Sequence, residues 1–93
     1  MTPLDMRSFL EPASWYAGRS GPRYAQLARH LSDAIRDGRL PADNQLPPER
    51  EMAELSGLSR VTIRKSMELL VDEGVVEQRQ GAGSFVQRAP ETP

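Results

Sequence analysis

Apolar residues recur at intervals of three and four between Pro22 and Asp37, which is the spacing of one face of an α-helix. Proline is favoured at the first helical position, because its missing N–H would have no partner there. Gly38 follows where a left-handed residue commonly ends a helix. The pattern therefore predicts a helix over 22–37 with a core-facing side of Tyr24, Leu27, Ala28, Leu31, Ala34 and Ile35.

A glycine separates the next two helical segments. Residues 49–56 predict a short helix with acids in its first turn, where negative charge suits the helix dipole. Gly57 ends it, and Ser59 is a favourable N-cap for a second helix over 60–73. A short helix, a glycine turn and a capped second helix are typical of a helix-turn-helix. The second helix has a buried stripe of Ile63, Met67 and Leu70 and an opposite face of Val61, Arg64, Lys65 and Glu68.

The end of the chain predicts a β-hairpin. Residues 75–78 and 84–87 read as its strands, and 79–83 as a turn with two glycines. Within the proline-containing connection over 39–48, Gln45-Leu46 is expected to pair with this hairpin as a short strand. The predicted fold class is mainly α with a small β-hairpin, a winged helix-turn-helix of three helices plus a wing.

The 93 residues make one small domain. We expect residues 1–20 to be a mostly irregular N-terminal arm, because they show no clear period, with Trp15-Tyr16 packed on the domain or binding a partner. Residues 21–87 are the domain itself. Residues 88–93 are polar and contain proline, as expected of a tail or of the start of a linker to a further domain.

Composition excludes several kinds of site. The chain has no cysteine, so it has no disulfide framework, zinc-thiolate site or cysteine nucleophile. His30 is the single histidine and has no second histidine with which to share a metal. No apolar run approaches the roughly 20 residues of a membrane span. We expect a cytoplasmic protein without cofactor, metal or enzymatic activity.

Charge is distributed unevenly along the chain. The net charge is −1 and the pI about 5.8, which by themselves argue mildly against nucleic acid. Residues 58–67 and 78–89 nevertheless contain no acid. Because salt screens charges beyond roughly 10 Å, these segments can act as two positive contact points.

Both segments carry chemistry suited to DNA. A recognition helix presents its N-terminal residues to base edges in the major groove, and here those are Ser59, Arg60, Thr62 and Arg64. An ordinary solvated helix face is the alternative. In the hairpin, glycines let the backbone approach a sugar-phosphate closely, although a glycine turn needs no ligand.

The segments resemble, over about 22–86, the N-terminal winged helix-turn-helix domain of the GntR family of bacterial transcription regulators. The matching strings are Pro22-x-Tyr24-x-Gln26-Leu27-Ala28, Ile35-x-x-Gly38-x-Leu40, Leu46-Pro47-x-Glu49-Arg50-Glu51-x-Ala53, Gly57-Leu58-Ser59-Arg60-x-Thr62-Ile63-Arg64, and Glu73-Gly74 followed by Arg79-Gln80-Gly81-x-Gly83-Ser84-Phe85-Val86.

The resemblance implies a homodimer on a palindromic double-stranded DNA operator, usually as a repressor. A small-molecule effector would bind a separate C-terminal domain that this chain does not include. Two positions depart from the family pattern: Pro48 stands where a capping serine is common, and Ala42-Asp43 where Pro-Gly is common. The implied DNA contacts are Arg50, Ser59, Arg60, Val61, Thr62, Arg64, Gln80 and Gly81, with Gly83 shaping the turn.

Two other functions are considered. A winged-helix protein-interaction module would use Leu69, Val71 or the Trp15-Tyr16 segment as its contact surface. The basic start of the second helix counts against it. An enzyme has almost no support, because no nucleophile–base pair, metal-ligand cluster or phosphate-cradling loop is visible.

Overall fold

The computed structural model describes residues 5–18 and 21–87. In these residues the three predicted helices and the wing are present, so the fold is a winged helix-turn-helix. The predicted tail over 88–93 lies outside the described residues. In chain order the elements are α1 (Met6–Leu10), α2 (Pro12–Trp15), α3 (Arg23–Arg36), α4 (Glu49–Ser56), α5 (Arg60–Glu73), β1 (Val76–Arg79) and β2 (Gly83–Val86).

The core lies mainly between α3 and α5. The predicted apolar faces are confirmed, since Leu27, Leu31, Ile63, Met67 and Leu70 are all buried. The two helices are also joined by a polar contact, in which the buried Ser66 hydroxyl donates to the Tyr24 carbonyl at 2.8 Å. The polar atom in this interface is therefore satisfied, and α5 is held by its inner stripe while its other side stays exposed.

The turn between α4 and α5 has the predicted caps. Gly57 ends α4 with a left-handed φ of 75°. Ser59 begins α5, and its hydroxyl accepts a hydrogen bond from the Thr62 N–H at 3.1 Å. The start of α4 has no such cap, because Pro48 occupies the N-cap position and offers no side-chain acceptor. The turn that orients α5 is thus well capped, whereas α4 begins without side-chain help.

The wing is a two-stranded hairpin that is also bonded to the connection before α4. Strands β1 and β2 pair antiparallel with Val76 opposite Val86, one residue later at the start of β1 than predicted. The expected pairing of Gln45-Leu46 with the hairpin is confirmed, but it is an isolated bridge between Gln45 and Phe85 and not a strand. On either side of this bridge, the Asp43 N–H donates to the Val86 carbonyl and the Leu46 N–H to the Ser84 carbonyl, each at 2.8 Å. The connection before α4 therefore fixes the position of the wing.

Asp43 has a left-handed backbone with φ of 71°. It occupies the position where glycine is common in the family string. Aspartate is one of the few side chains that visit this region routinely, because its short polar group can bond locally. Asp43 therefore supplies the left-handed residue of this turn itself.

The prediction of a mostly irregular N-terminal arm is wrong for residues 5–18. Two short helices, α1 and α2, bury Leu10 completely and Phe9 and Trp15 almost completely. The Trp15 indole N–H donates to the Leu10 carbonyl at 2.8 Å. His30 on α3 stacks on Phe9 with 4.0 Å between ring centroids. Trp15 thus belongs to the core. Helices of five and four residues are too short to show a helical period, which is why the pattern missed them.

Candidate nucleic-acid interface

The first turn of α5 faces solvent, as the sequence predicts. Val61 is 66% exposed, an unusual position for a large apolar side chain, and Arg60 beside it is exposed as well. The hydroxyls of Ser59 and Thr62 lie 2.8 Å apart and bond to each other. If Thr62 donates in this pair, the Ser59 hydrogen remains free to point outward, because the Ser59 oxygen already accepts the Thr62 N–H.

Arg64, one turn further along α5, does not stand free. Its Nε donates to Oε2 of Glu49 at 3.4 Å and its Nη2 to Oε1 at 3.2 Å. The hydrogen bond and the charge of Glu49 raise the pKa of the Arg64 guanidinium above its ordinary value. The sequence does not reveal this pair, because its members belong to different helices and are 15 residues apart.

Arg50 occupies the second position of α4, directly after Glu49. Its side chain is exposed. Neither the Arg50 nor the Arg60 side chain forms a hydrogen bond or an ion pair with a described residue. Both guanidiniums are thus available to an external anion.

The wing tip presents backbone rather than bulky side chains. Gly81 and Gly83 have φ of 78° and 110°, so the turn needs glycine for its conformation. A Cβ at Gly83 would also lie 3.0 Å from Nε2 of Gln45, whose amide donates to the Ala82 carbonyl at 2.9 Å. Gln80, directly before Gly81, is exposed. The backbone of the tip is therefore accessible, while Gln45 packs closely against it at Gly83.

Arg79 is partly engaged within the hairpin. Its guanidinium carbon lies 4.2 Å from the centroid of the Phe85 ring, and its Nη2 donates to Glu77 at 3.3 Å. Lys65 on α5 likewise leans back, with its Nζ 5.3 Å from the Tyr24 ring centroid. Neither cation stands as free as Arg50 or Arg60.

A groove of about 410 Å³ connects the wing to the start of α4. Residues of the wing tip, including Gly81 and Gly83, form one wall, and Glu49 lies on the other. Because Glu49 also holds Arg64, the start of α4 lies between the wing and α5. The structure thus connects the wing to Arg64 of α5 through Glu49 of α4.

Residues 5–18 and 21–87 contain neither a cluster of metal ligands nor a helix suited to a membrane. No three His, Cys, Asp or Glu side chains of that part of the chain are close enough to hold a metal ion. None of its helices combines the length and apolar character that crossing a membrane requires.

Comparison with known proteins agrees with this geometry. The family of bacterial regulatory proteins named gntR matches residues 23–86, well over half of the chain. The HTH-type transcriptional regulator GgaR of Escherichia coli K12 is 41% identical over 70 residues, and the HTH-type transcriptional repressor NagR of Bacillus subtilis is 42% identical over 67. These alignments cover 75% and 72% of this chain, but only 28% of either relative.

A solved structure of the DNA-binding domain of AraR in complex with operator ORX1 superposes with a TM-score of 0.67 at 36% identity. The match covers 76% of this chain and 90% of the AraR chain. The sequence match and the shared winged-helix fold lead to the same assignment: the chain belongs to the gntR family of bacterial regulatory proteins.

Proposed function

We propose that residues 21–87 bind double-stranded DNA sequence-specifically as the DNA-binding domain of a transcription regulator. In this proposal α5 enters the major groove and the wing lies at the minor groove. The observation that carries it is the link from the wing groove through Glu49 to Arg64, which has the exposed Val61 and Arg60 three and four residues before it on α5. The operator complex of the similar AraR domain supports it.

Each group on this surface has a suitable chemistry. The arginine fork pairs with O6 and N7 of guanine, and an exposed apolar side chain such as Val61 can contact a thymine methyl. The N-terminus of α5 suits a phosphate, and the Ser59 hydroxyl can donate to one when Thr62 is the donor in their pair. At the wing, Gly81 lets the backbone approach the sugar-phosphate, and Gln80 supplies an amide. Gly83 shapes the turn. Together these groups supply both base readout and backbone contact.

The regulatory context belongs to the same proposal. We infer that the intact protein is a homodimer on a palindromic operator, with half-sites about one helical turn apart, on the order of 34 Å. Its effector, a small metabolite, would bind outside the aligned 70 or 67 residues, which cover only 28% of GgaR and of NagR. The regulator would act in the cytoplasm, as a repressor like NagR, and would catalyse no reaction.

Two of the four residues expected to form the contact surface of a protein-interaction module are not available for it. Trp15 is only 8% exposed, and Leu69 packs against the core. Tyr16 and Val71 remain exposed but lie on different elements, α2's end and α5. The exposed arginines favour DNA over this alternative.

In vitro selection from random DNA, followed by titration of the selected site at several salt concentrations, tests the proposal. We expect the logarithm of the binding constant to fall linearly with the logarithm of salt concentration. Arg60→Ala should relax the preference at one base position by about 1–3 kcal/mol. Arg29→Ala is a charge-matched control, because Arg29 is exposed on α3 and does not line the groove beside the wing. A selected pool that stays random, or full discrimination by Arg60→Ala, would refute the proposal.

A further inference from the structure

The Arg64–Glu49 pair uses one particular edge of the guanidinium. An arginine fork has a side edge, formed by Nε and one terminal nitrogen, and an end edge, formed by both terminal nitrogens. Glu49 occupies the side edge, because it accepts from Nε and from Nη2. The two hydrogens of Nη1 and the second hydrogen of Nη2 stay unused by this carboxylate. The end edge is therefore free to form two parallel hydrogen bonds with another group.

Stability is a weak reason for this pair. The side chain of Arg64 is 58% exposed and that of Glu49 is 28% exposed. Ion pairs with so much solvent contact contribute little to folding, since screening and side-chain entropy offset the Coulomb attraction. What the pair does is restrict a long, flexible side chain to one orientation at the point where α4 and α5 meet.

A carboxylate at this place is unfavourable for general attraction to DNA. Glu49 lies beside Arg50 and lines the groove that runs to the wing. Negative charge there repels phosphates and weakens the sequence-independent part of binding. A residue that lowers non-specific affinity while it orients a base-reading arginine raises the ratio of specific to non-specific binding.

We propose that Glu49 is a positioning residue that determines specificity through Arg64. Its carboxylate holds the side edge of the guanidinium, so that the end edge faces O6 and N7 of one guanine in the major groove. This inference rests on the proposed function, because it requires that the domain reads DNA. The ligand group it assigns to Arg64 is a guanine, and Glu49 itself makes no base contact.

A double-mutant cycle tests this coupling. The variants are Glu49→Ala, Arg64→Ala and both together, with Glu51→Ala as the matched control. Glu51 is an exposed acid in the same first turn of α4, and its side chain forms no hydrogen bond or ion pair with a described residue. Each variant is titrated with the selected site, with the same site changed at single base pairs, and with random DNA. Thermal unfolding of each variant checks that it is folded.

Glu49→Ala should bind random DNA about two- to threefold more tightly, as should Glu51→Ala, since both remove a negative charge. Only Glu49→Ala should lose discrimination at one guanine, by about fivefold, because Arg64 is no longer oriented. Adding Glu49→Ala to Arg64→Ala should cause no further loss, because the two residues act as a unit.

Two results would overturn the inference while the proposed function stands. One is that Glu49→Ala keeps wild-type discrimination at every position. The other is that its loss of discrimination persists undiminished in the Arg64→Ala background, which would mean that Glu49 contacts a base directly. A wild-type domain that shows no sequence preference would instead refute the proposed function, and the positioning role with it.

Discussion

Removal of the Leu10 side chain tests whether the N-terminal helices are part of the folding unit. Leu10 lies in α1, outside the residues that match the family, and is 0% exposed. Replacing a fully buried leucine with alanine costs about 2–5 kcal/mol, from lost burial and the cavity left behind. Against a total of roughly 5–15 kcal/mol, this is a large loss. A change of about 3 kcal/mol would lower the Tm by roughly 12–24 °C in a domain of this size.

The chain offers two independent probes for this measurement. Trp15 is the single tryptophan and packs against the segment that contains Leu10, so its fluorescence reports the attachment of α1 and α2. Far-UV circular dichroism reports mainly α3 and α5, the two longest helices. We expect both probes to give the same denaturation midpoint, lower in Leu10→Ala than in wild type. Val71→Ala, at a partly exposed site of α5, should change stability by less than about 0.5 kcal/mol.

Two outcomes would refute this reasoning. If Leu10→Ala changed the free energy of unfolding by no more than the Val71 control, the burial of α1 would contribute nothing to stability. If only the fluorescence midpoint moved, α1 and α2 would unfold as a separate unit from the helix-turn-helix.

Three further changes test local features. Ser59→Ala should cost about 1 kcal/mol in chemical denaturation, because the N-cap bond to Thr62 is lost; an unchanged midpoint would contradict the cap. Asp43→Ala should destabilise by about 1 kcal/mol and Asp43→Gly should not, since φ is 71°; equal effects would exclude backbone strain. Burial lowers the pKa of His30 from its usual 6.5, so protonation favours the unfolded chain. The free energy of unfolding should therefore fall as pH drops below about 6.5, and His30→Gln should flatten that slope in a pH series of denaturation curves.

The long helices were the elements that the sequence predicted best. Helices α3 and α5 have 14 residues each, enough for several turns, so their apolar stripes and ends could be read from spacing and glycines. The wing was predictable because its glycines mark the turn. The N-terminal helices α1 and α2 were not, because four or five residues give barely one turn.

The charge arrangement of the candidate site was only partly predictable. Exposure of Val61 follows from its place opposite the buried stripe of α5, and that of Arg60 from its place in the first turn. The partner of Arg64 does not, because Glu49 reaches it only through the packing of α4 on α5. Which cations stay free and which are engaged, as Arg79 is by Phe85, is a property of tertiary contacts.

The strand-like segment over 43–46 has a consequence for the thermodynamics of recognition. A two-stranded hairpin alone is marginally ordered in water, and a third strand is usually needed for a stable sheet. Three backbone hydrogen bonds join Asp43, Asn44 and Leu46 to β2 and take the place of a third strand, so the wing is ordered when the chain folds. A ligand that meets the wing tip then binds a preorganised surface, and the ordering entropy does not reduce its affinity.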